Sequence, residues 1–207
     1  MENIGSEFLL SRSGLLTTVA CDEQGAPCYA FEGSIFYSGA LLDWAVDRMG
    51  IAPTVKALAE RAAEADPNHA VHVIPAHVGL GAPHWNAHVR GAVLNLQASS
   101  GKAEIAHGCF KAIAFQTKEV LERMERESGC SVEVLRIDGG VTRSDLLSQL
   151  LADALQVAVE VSADSDLTAR GAAYLAGLEP VPLEIRRFEP QRTLDYKAWQ
   201  AAQLKLL

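Results

Sequence analysis

From Leu15 to Cys21 the chain is apolar and β-branched, LLTTVAC. After the turn cluster DEQGAP it alternates through CYAFEGSIFYS, with Tyr29, Phe31, Ile35 and Tyr37 on one side. Two such runs around a turn bearing Gly25 and Pro27 predict a β-hairpin. From Gly39 the period lengthens: Leu41, Leu42, Ala45 and Met49 fit a helix that stops at Gly50. APTVKALAERAAEA, from Ala52, predicts a second helix with Pro53 in its first turn. AVHVIPA and RGAVLNLQASS read as strands on either side of the glycine- and proline-broken loop HVGLGAPHWNAHV.

The longest periodic stretch runs from Lys102 to Ser128. Ile105, Cys109, Ile113, Val120 and Met124 recur at helical spacing, and Lys118, Glu122, Arg123 and Arg126 lie toward water. Gly129 is placed to end it. VEVLRI then predicts a strand, Ser144 to Leu155 a helix, VAVEVSA a strand and Thr168 to Leu178 a helix; Pro180 and Pro182 interrupt, and RTLDYKAWQAAQLKLL predicts a final helix. A hairpin followed by strands alternating with helices predicts an α/β fold, a mixed sheet with helices on both faces. Residues 1–8, MENIGSEF, resemble a partial leader or an expression scar and are set aside; 9–178 form the expected domain and 179–207 a tail with a helix.

Composition narrows the function classes. The chain has 207 residues, is 49% hydrophobic and carries a formal net charge of -8. An acidic chain with no basic run lacks the field that gathers nucleic acid or anionic membrane, so neither partner is expected. A small anion would have to be held by local amides and cations. Cys21, Cys28, Cys109 and Cys130 contain no Cys-x-x-Cys pair and are expected to be reduced thiols. His77, His84 and His88 lie close in sequence without a carboxylate or cysteine among them, so no metal site is expected.

The candidate chemistry sits where strands give way to helices. In LRIDGGVTRSDLL, Asp138, Gly139 and Gly140 occupy such a junction. Two glycines allow close backbone approach, and the helix N-terminus beyond them favours a phosphate. Thr142 followed by Asp145 reads as a capping box. The alternative is a tight connection with a capped helix. Gly39 marks a second junction, with Asp43 one turn on, and the two could converge on one ligand; a packing glycine and a solvated carboxylate would look the same. GLGAPHW is a third candidate, either a binding loop or a surface loop anchored by Trp85.

Taken together, YAFEGSIFYSGALLDW, PAHVGLGAPHWNAHVRGAV, AIAFQTKEVLERMERESG, LRIDGGVTRSDLL and TARGAAYLAGL follow the order and spacing of the FGGY carbohydrate kinases, within the actin-like ATPase superfamily. The GLGAPHW loop resembles the glycerol branch. The resemblance spans about Leu15 to Leu178, with a weaker echo in RRFEPQRTLDYKAW. It implies an actin-like, ribonuclease H-like domain that forms one wall of a cleft for ATP and Mg2+, in a cytoplasmic kinase that phosphorylates a polyol. By similarity, Gly39 and Gly140 contact ATP or ADP, Asp138 and Gly139 shape the adenosine-side loop, and Asp43 and Ser144 stand among the nucleotide contacts. At those last two positions the family typically has glutamine and asparagine.

The resemblance places the polyol contacts, the general base and the loop holding the terminal phosphates before this stretch. No catalytic residue is therefore expected within the 207 residues, and they are not expected to turn over alone. Sugar kinases of this type often dimerise, so a homo-oligomer is among the expectations. A natural non-catalytic or regulatory nucleotide-binding module, and a kinase for another polyol or sugar, are the alternatives. A mechanical actin-like ATPase fits the GLGAPHW loop poorly.

Overall fold

The structure, a computed structural model, describes residues 1–22, 24–163, 167–179 and 181–207. Its strands are β1 (Glu2–Gly5), β2 (Leu16–Cys21), β3 (Pro27–Glu32), β4 (His72–Ile74), β5 (Ala92–Leu94), β6 (Val134–Ile137), β7 (Ala158–Ser162) and β8 (Ile185–Phe188). Its α-helices are α1 (Gly39–Asp47), α2 (Val55–Ala63), α3 (Lys102–Ser128), α4 (Asp145–Leu155), α5 (Leu167–Leu175) and α6 (Tyr196–Leu204), with one 3-10 turn at Gly140–Arg143.

Helix α3 organises the domain. It packs against α2, α4 and β4, and an unbroken run from Ala106 to Gln116 is buried. Its N-terminus is closed by the Glu104 carboxylate, which accepts the Gly101 N–H at 2.7 Å. Its C-terminus is closed by Gly129 in the left-handed region, φ 73°, where a glycine has no Cβ penalty. The main core gathers Leu41, Leu58, Ile74, Phe110, Leu150 and Trp199 around it. A smaller core of Leu15, Phe31, Ala82, Val120 and Met124 joins the first sheet to the second half of α3.

The predicted α/β class holds, but the single mixed sheet is three small ones. β1 and β2 flank β3, antiparallel on both sides; β4 and β5 form a two-stranded antiparallel ladder; and β6-β7-β8 is mixed, parallel then antiparallel. Strand β8 was not predicted. It is mostly exposed and held by edge ion pairs, Arg187 to Glu160 at 2.8 Å among them, so it carries little apolar signal. The expected alternation past Glu32 stops: residues 33–38 run irregularly beneath the 79–83 loop, with the Ser34 carbonyl accepting from Ala82 N at 2.8 Å.

Both segments set apart in the sequence take part in the packing. Glu2–Gly5 extends the first sheet, and the Trp199 indole N–H donates to the Val73 carbonyl at 2.8 Å, fixing α6 to β4. Buried Asp153 accepts from the backbone N–H of Gln191 at 2.8 Å and from Arg192 Nε at 3.2 Å, stitching the tail to α4. The hairpin register sets Cys28 opposite Ala20 and Cys21 opposite Pro27, and all four cysteines are free.

Candidate functional site

Gly39, Asp43 and Gly140, chosen from separate parts of the sequence, line one cleft of about 300 Å³ together with Leu42, Val55 and Val141. The two junctions therefore converge, though from different sheets. One wall is the start of α1 and of α2; the other is the 3-10 turn after β6. Thr54 caps α2 by accepting the Ala57 N–H at 3.1 Å, whereas Ser38 gives α1 no side-chain cap. The start of α1, whose Gly39 lines the cleft, thus has no side-chain cap, and a helix N-terminus left so favours an anion.

The two glycines keep the cleft open in different ways. A Cβ on Gly39 would stand 2.9 Å from the Val141 methyl on the facing wall, so any side chain there closes the gap. Gly140 is exposed, and a Cβ there would meet nothing within 4 Å. Backbone without a side chain of its own is therefore presented on both sides, facing the Val141 methyl at Gly39 and open space at Gly140. Asp43 is exposed and, among the described residues, is the one carboxylate lining the cleft.

The remaining predicted residues shape the site from behind and are not among those lining the cleft. Gly139 lies at φ 100°, a backbone conformation that L side chains rarely adopt, and makes the bend that turns the chain from β6 into the 3-10 turn. The Asp138 carboxylate accepts from the Gly139 N–H at 2.6 Å and from the Leu167 N–H at 3.2 Å, tying this bend to the start of α5. Ser144 is the N-cap of α4, its hydroxyl accepting the Leu147 N–H at 3.4 Å. The predicted Thr142–Asp145 capping box does not form. The Thr142 hydroxyl donates back to the Gly139 carbonyl at 2.7 Å, and Asp145 pairs with Arg186.

Leu42, Val55 and Val141 were missed. On sequence they are indistinguishable from core residues, and only Thr54 after Pro53 signals that α2 begins nearby.

The GLGAPHW loop does not reach the cleft. Trp85 donates to the Gly14 carbonyl at 2.6 Å and packs edge-on to Phe36, so the loop anchors the first strands. The histidines split apart as well: His84 meets Glu119 at 2.9 Å, and His77 stacks on Tyr37 at 4.4 Å between ring centres. Among the described residues no group of three His, Cys, Asp or Glu could hold a metal ion. Among them too, no helix is long and apolar enough to cross a membrane.

Known proteins share this sequence pattern and fold. Residues 2–179 match the FGGY family of carbohydrate kinases, C-terminal domain. A glycerol kinase of Rhodopirellula baltica is 45% identical over 176 residues, covering 85% of this chain and 33% of that protein. One from Aliivibrio fischeri is 42% identical, covering 97% of this chain and 43% of that protein. The chain thus spans between a third and a half of the length of these curated relatives. Among solved structures, Plasmodium falciparum glycerol kinase with ADP superposes with a TM-score of 0.86 at 25% identity, over 99% of this chain and 44% of that one. A Brucella ovis xylulose kinase, 22% identical over 94% of this chain and 41% of that one, shares the fold with a TM-score of 0.76. The chain belongs to the FGGY family of carbohydrate kinases, of which it carries the C-terminal, actin-like domain.

Proposed function

We propose that this chain is the nucleotide-binding part of a glycerol kinase, and that ATP or ADP lies in the cleft between Gly39 and Gly140. The observation that carries the reading is the convergence of two glycine junctions, Gly39 and Gly140, on one cleft, beside a start of α1 that has no side-chain cap. The relatives support the substrate: the Rhodopirellula and Aliivibrio proteins, each more than 40% identical over most of this chain, are glycerol kinases, and the Plasmodium enzyme was solved with ADP.

In this reading bound ATP supplies the phosphoryl group, and the chain's own residues hold and orient it. The amides at Gly39 and Gly140 take the phosphate side, and Leu42, Val55 and Val141 give apolar wall to the less polar part. Magnesium needs few protein ligands when phosphate oxygens surround it, and Asp43 is the carboxylate placed to meet it. The polyol, its general base and the loop around the terminal phosphates belong to the preceding domain of a full-length kinase. Phosphoryl transfer depends on positioning by all of these parts, so the 207 residues alone are expected to bind without turnover. The setting is the cytoplasm, where ATP is supplied.

Calorimetric titration with ADP and magnesium tests the site. Saturable heat is expected from the chain and none from Gly140→Trp, which adds bulk at a lining residue where open space spares the core. Equal heats from the two would remove the proposed site. One observation favours a second reading, a nucleotide-binding module that regulates and does not transfer: the carboxylate of Asp43 in the cleft. Phosphorylation of glycerol by the complete gene product would exclude it.

A further inference from the structure

A second cavity of about 530 Å³, sharing no lining residue with the cleft, opens between the 67–70 loop, β4, α3 and the start of α6. Its lining includes Lys111, His69, His72, His107, Arg192 and Asp195. Lys111 is 8% exposed and forms no ion pair or hydrogen bond among the described residues. His72 is 6% exposed and its Nδ1 has no partner. A buried ammonium is costly unless an anion answers it. The nearby carboxylates are engaged elsewhere: Asp153 holds Arg192, and Asp195 caps α6 by accepting the Ala198 N–H.

The histidines are oriented as donors. His69 Nδ1 accepts the Val71 N–H at 3.2 Å, so in the neutral ring its proton sits on Nε2. That N–H reaches His107 Nδ1 at 2.8 Å, which must then accept. His107 is thereby left with its proton on Nε2 and with no acceptor for it among the described residues. The relay fixes one N–H on the same helix as the unanswered ammonium, one turn away, and the Arg192 guanidinium adds further donors.

We infer that this cavity binds a small phosphate-bearing anion, free phosphate or a phosphate monoester, held by the Lys111 ammonium and the His107 Nε2–H. A phosphate offers acceptors to the Lys111 ammonium, the His107 Nε2–H and the remaining Arg192 donors at once, which a carboxylate with two oxygens does less well, and the cavity has room for an organic portion beyond the phosphate. Burial, then the charge of neighbouring Arg192, lower the Lys111 pKa to about 8 against the opposing pull of Asp195, so it is still mostly protonated at neutral pH. The inference stands on different residues from the nucleotide cleft and survives or fails without it.

The test is titration of the 207-residue chain with inorganic phosphate, methyl phosphate and acetate, read by calorimetry and by the imidazole 15N resonances. Phosphate is expected to bind saturably and to shift His107 and His72. Lys111→Met should bind roughly tenfold or more weakly, the scale of a lost charge-assisted hydrogen bond, and Gly140→Trp should bind as the parent does. Tighter methyl phosphate would identify an organic phosphate as the ligand; equal binding would identify free phosphate. The inference is overturned by unmoved imidazole resonances, by undiminished binding in Lys111→Met, by loss of binding in Gly140→Trp, or by acetate binding as well as phosphate. The resonances of the parent chain decide the matter even if Lys111→Met does not fold.

Discussion

Asp43 sets a negative charge on the lining of a cleft proposed to take a polyphosphate. Two like charges a few ångströms apart repel, and salt weakens the repulsion where both face water. Asp43→Gln is therefore expected to tighten ADP binding several-fold in the absence of magnesium, with a smaller gain at high salt; titrations at two ionic strengths check this. An unchanged affinity would place the phosphates away from α1. Gly139 is constrained differently. At φ 100° it cannot accept a Cβ without strain, so Gly139→Ala should cost about 1–2 kcal/mol by denaturant unfolding. Gly39, Asp43 and Gly140 were legible because glycine at a strand–helix junction has few explanations. Leu42, Val55 and Val141 were not, because Leu42 is itself a buried core residue and the two valines pack against that core, so their pattern does not set a cleft wall apart from it. Thr142 misled because two cap-forming residues stand close together, and the 3-10 turn moves the helix start from one to the other.

Among the elements, the bend after β6 depends on contacts that local pattern does not announce. Asp138 links it to α5 through the Leu167 N–H, and Ser144 closes the start of α4. Ser144→Ala should cost about 1 kcal/mol, the usual worth of an N-cap, seen as a lowered unfolding midpoint. Asp138→Ala should speed amide exchange at Leu167 while leaving α3 unchanged; equal protection would show that α5 is held by other contacts. Helix α3 was readable to its ends because its 27 residues keep one period and close on Gly129. Strand β8 was hidden because Arg186 and Arg187 pair along an edge where the apolar signal is weak. The irregular 33–38 segment was misread for the opposite reason. Ile35 and Tyr37 continue the alternation of β3, but close approach to α3 and to the 79–83 loop leaves no ladder partner. A Cβ on Gly33 would stand 2.1 Å from Val120, and one on Gly81 2.1 Å from the Ser34 carbonyl.

For the whole molecule, the imidazoles beside α3 set how stability follows pH. Burial, reinforced by the charge of Lys111, lowers the pKa of His69 to about 4 and of His107 to about 3, from an ordinary 6.5. Between those values the unfolded chain takes up protons that the folded chain does not, so stability is retained above about pH 6.5 and lost as the pH falls toward 4. Thermal unfolding followed from pH 7 to pH 4.5 should show this decline, and replacing both histidines by asparagine should flatten it. Three small sheets sharing one buried helix, and not one continuous sheet, place the cleft and the basic cavity apart in the same domain. The most direct test of the central claim is to titrate the isotopically labelled chain with ADP and magnesium and follow its backbone amides. The account predicts saturable shifts concentrated at Gly39–Asp43, Val55 and Gly140–Val141. Shifts absent from those residues, or centred on His107 and Lys111, would contradict it.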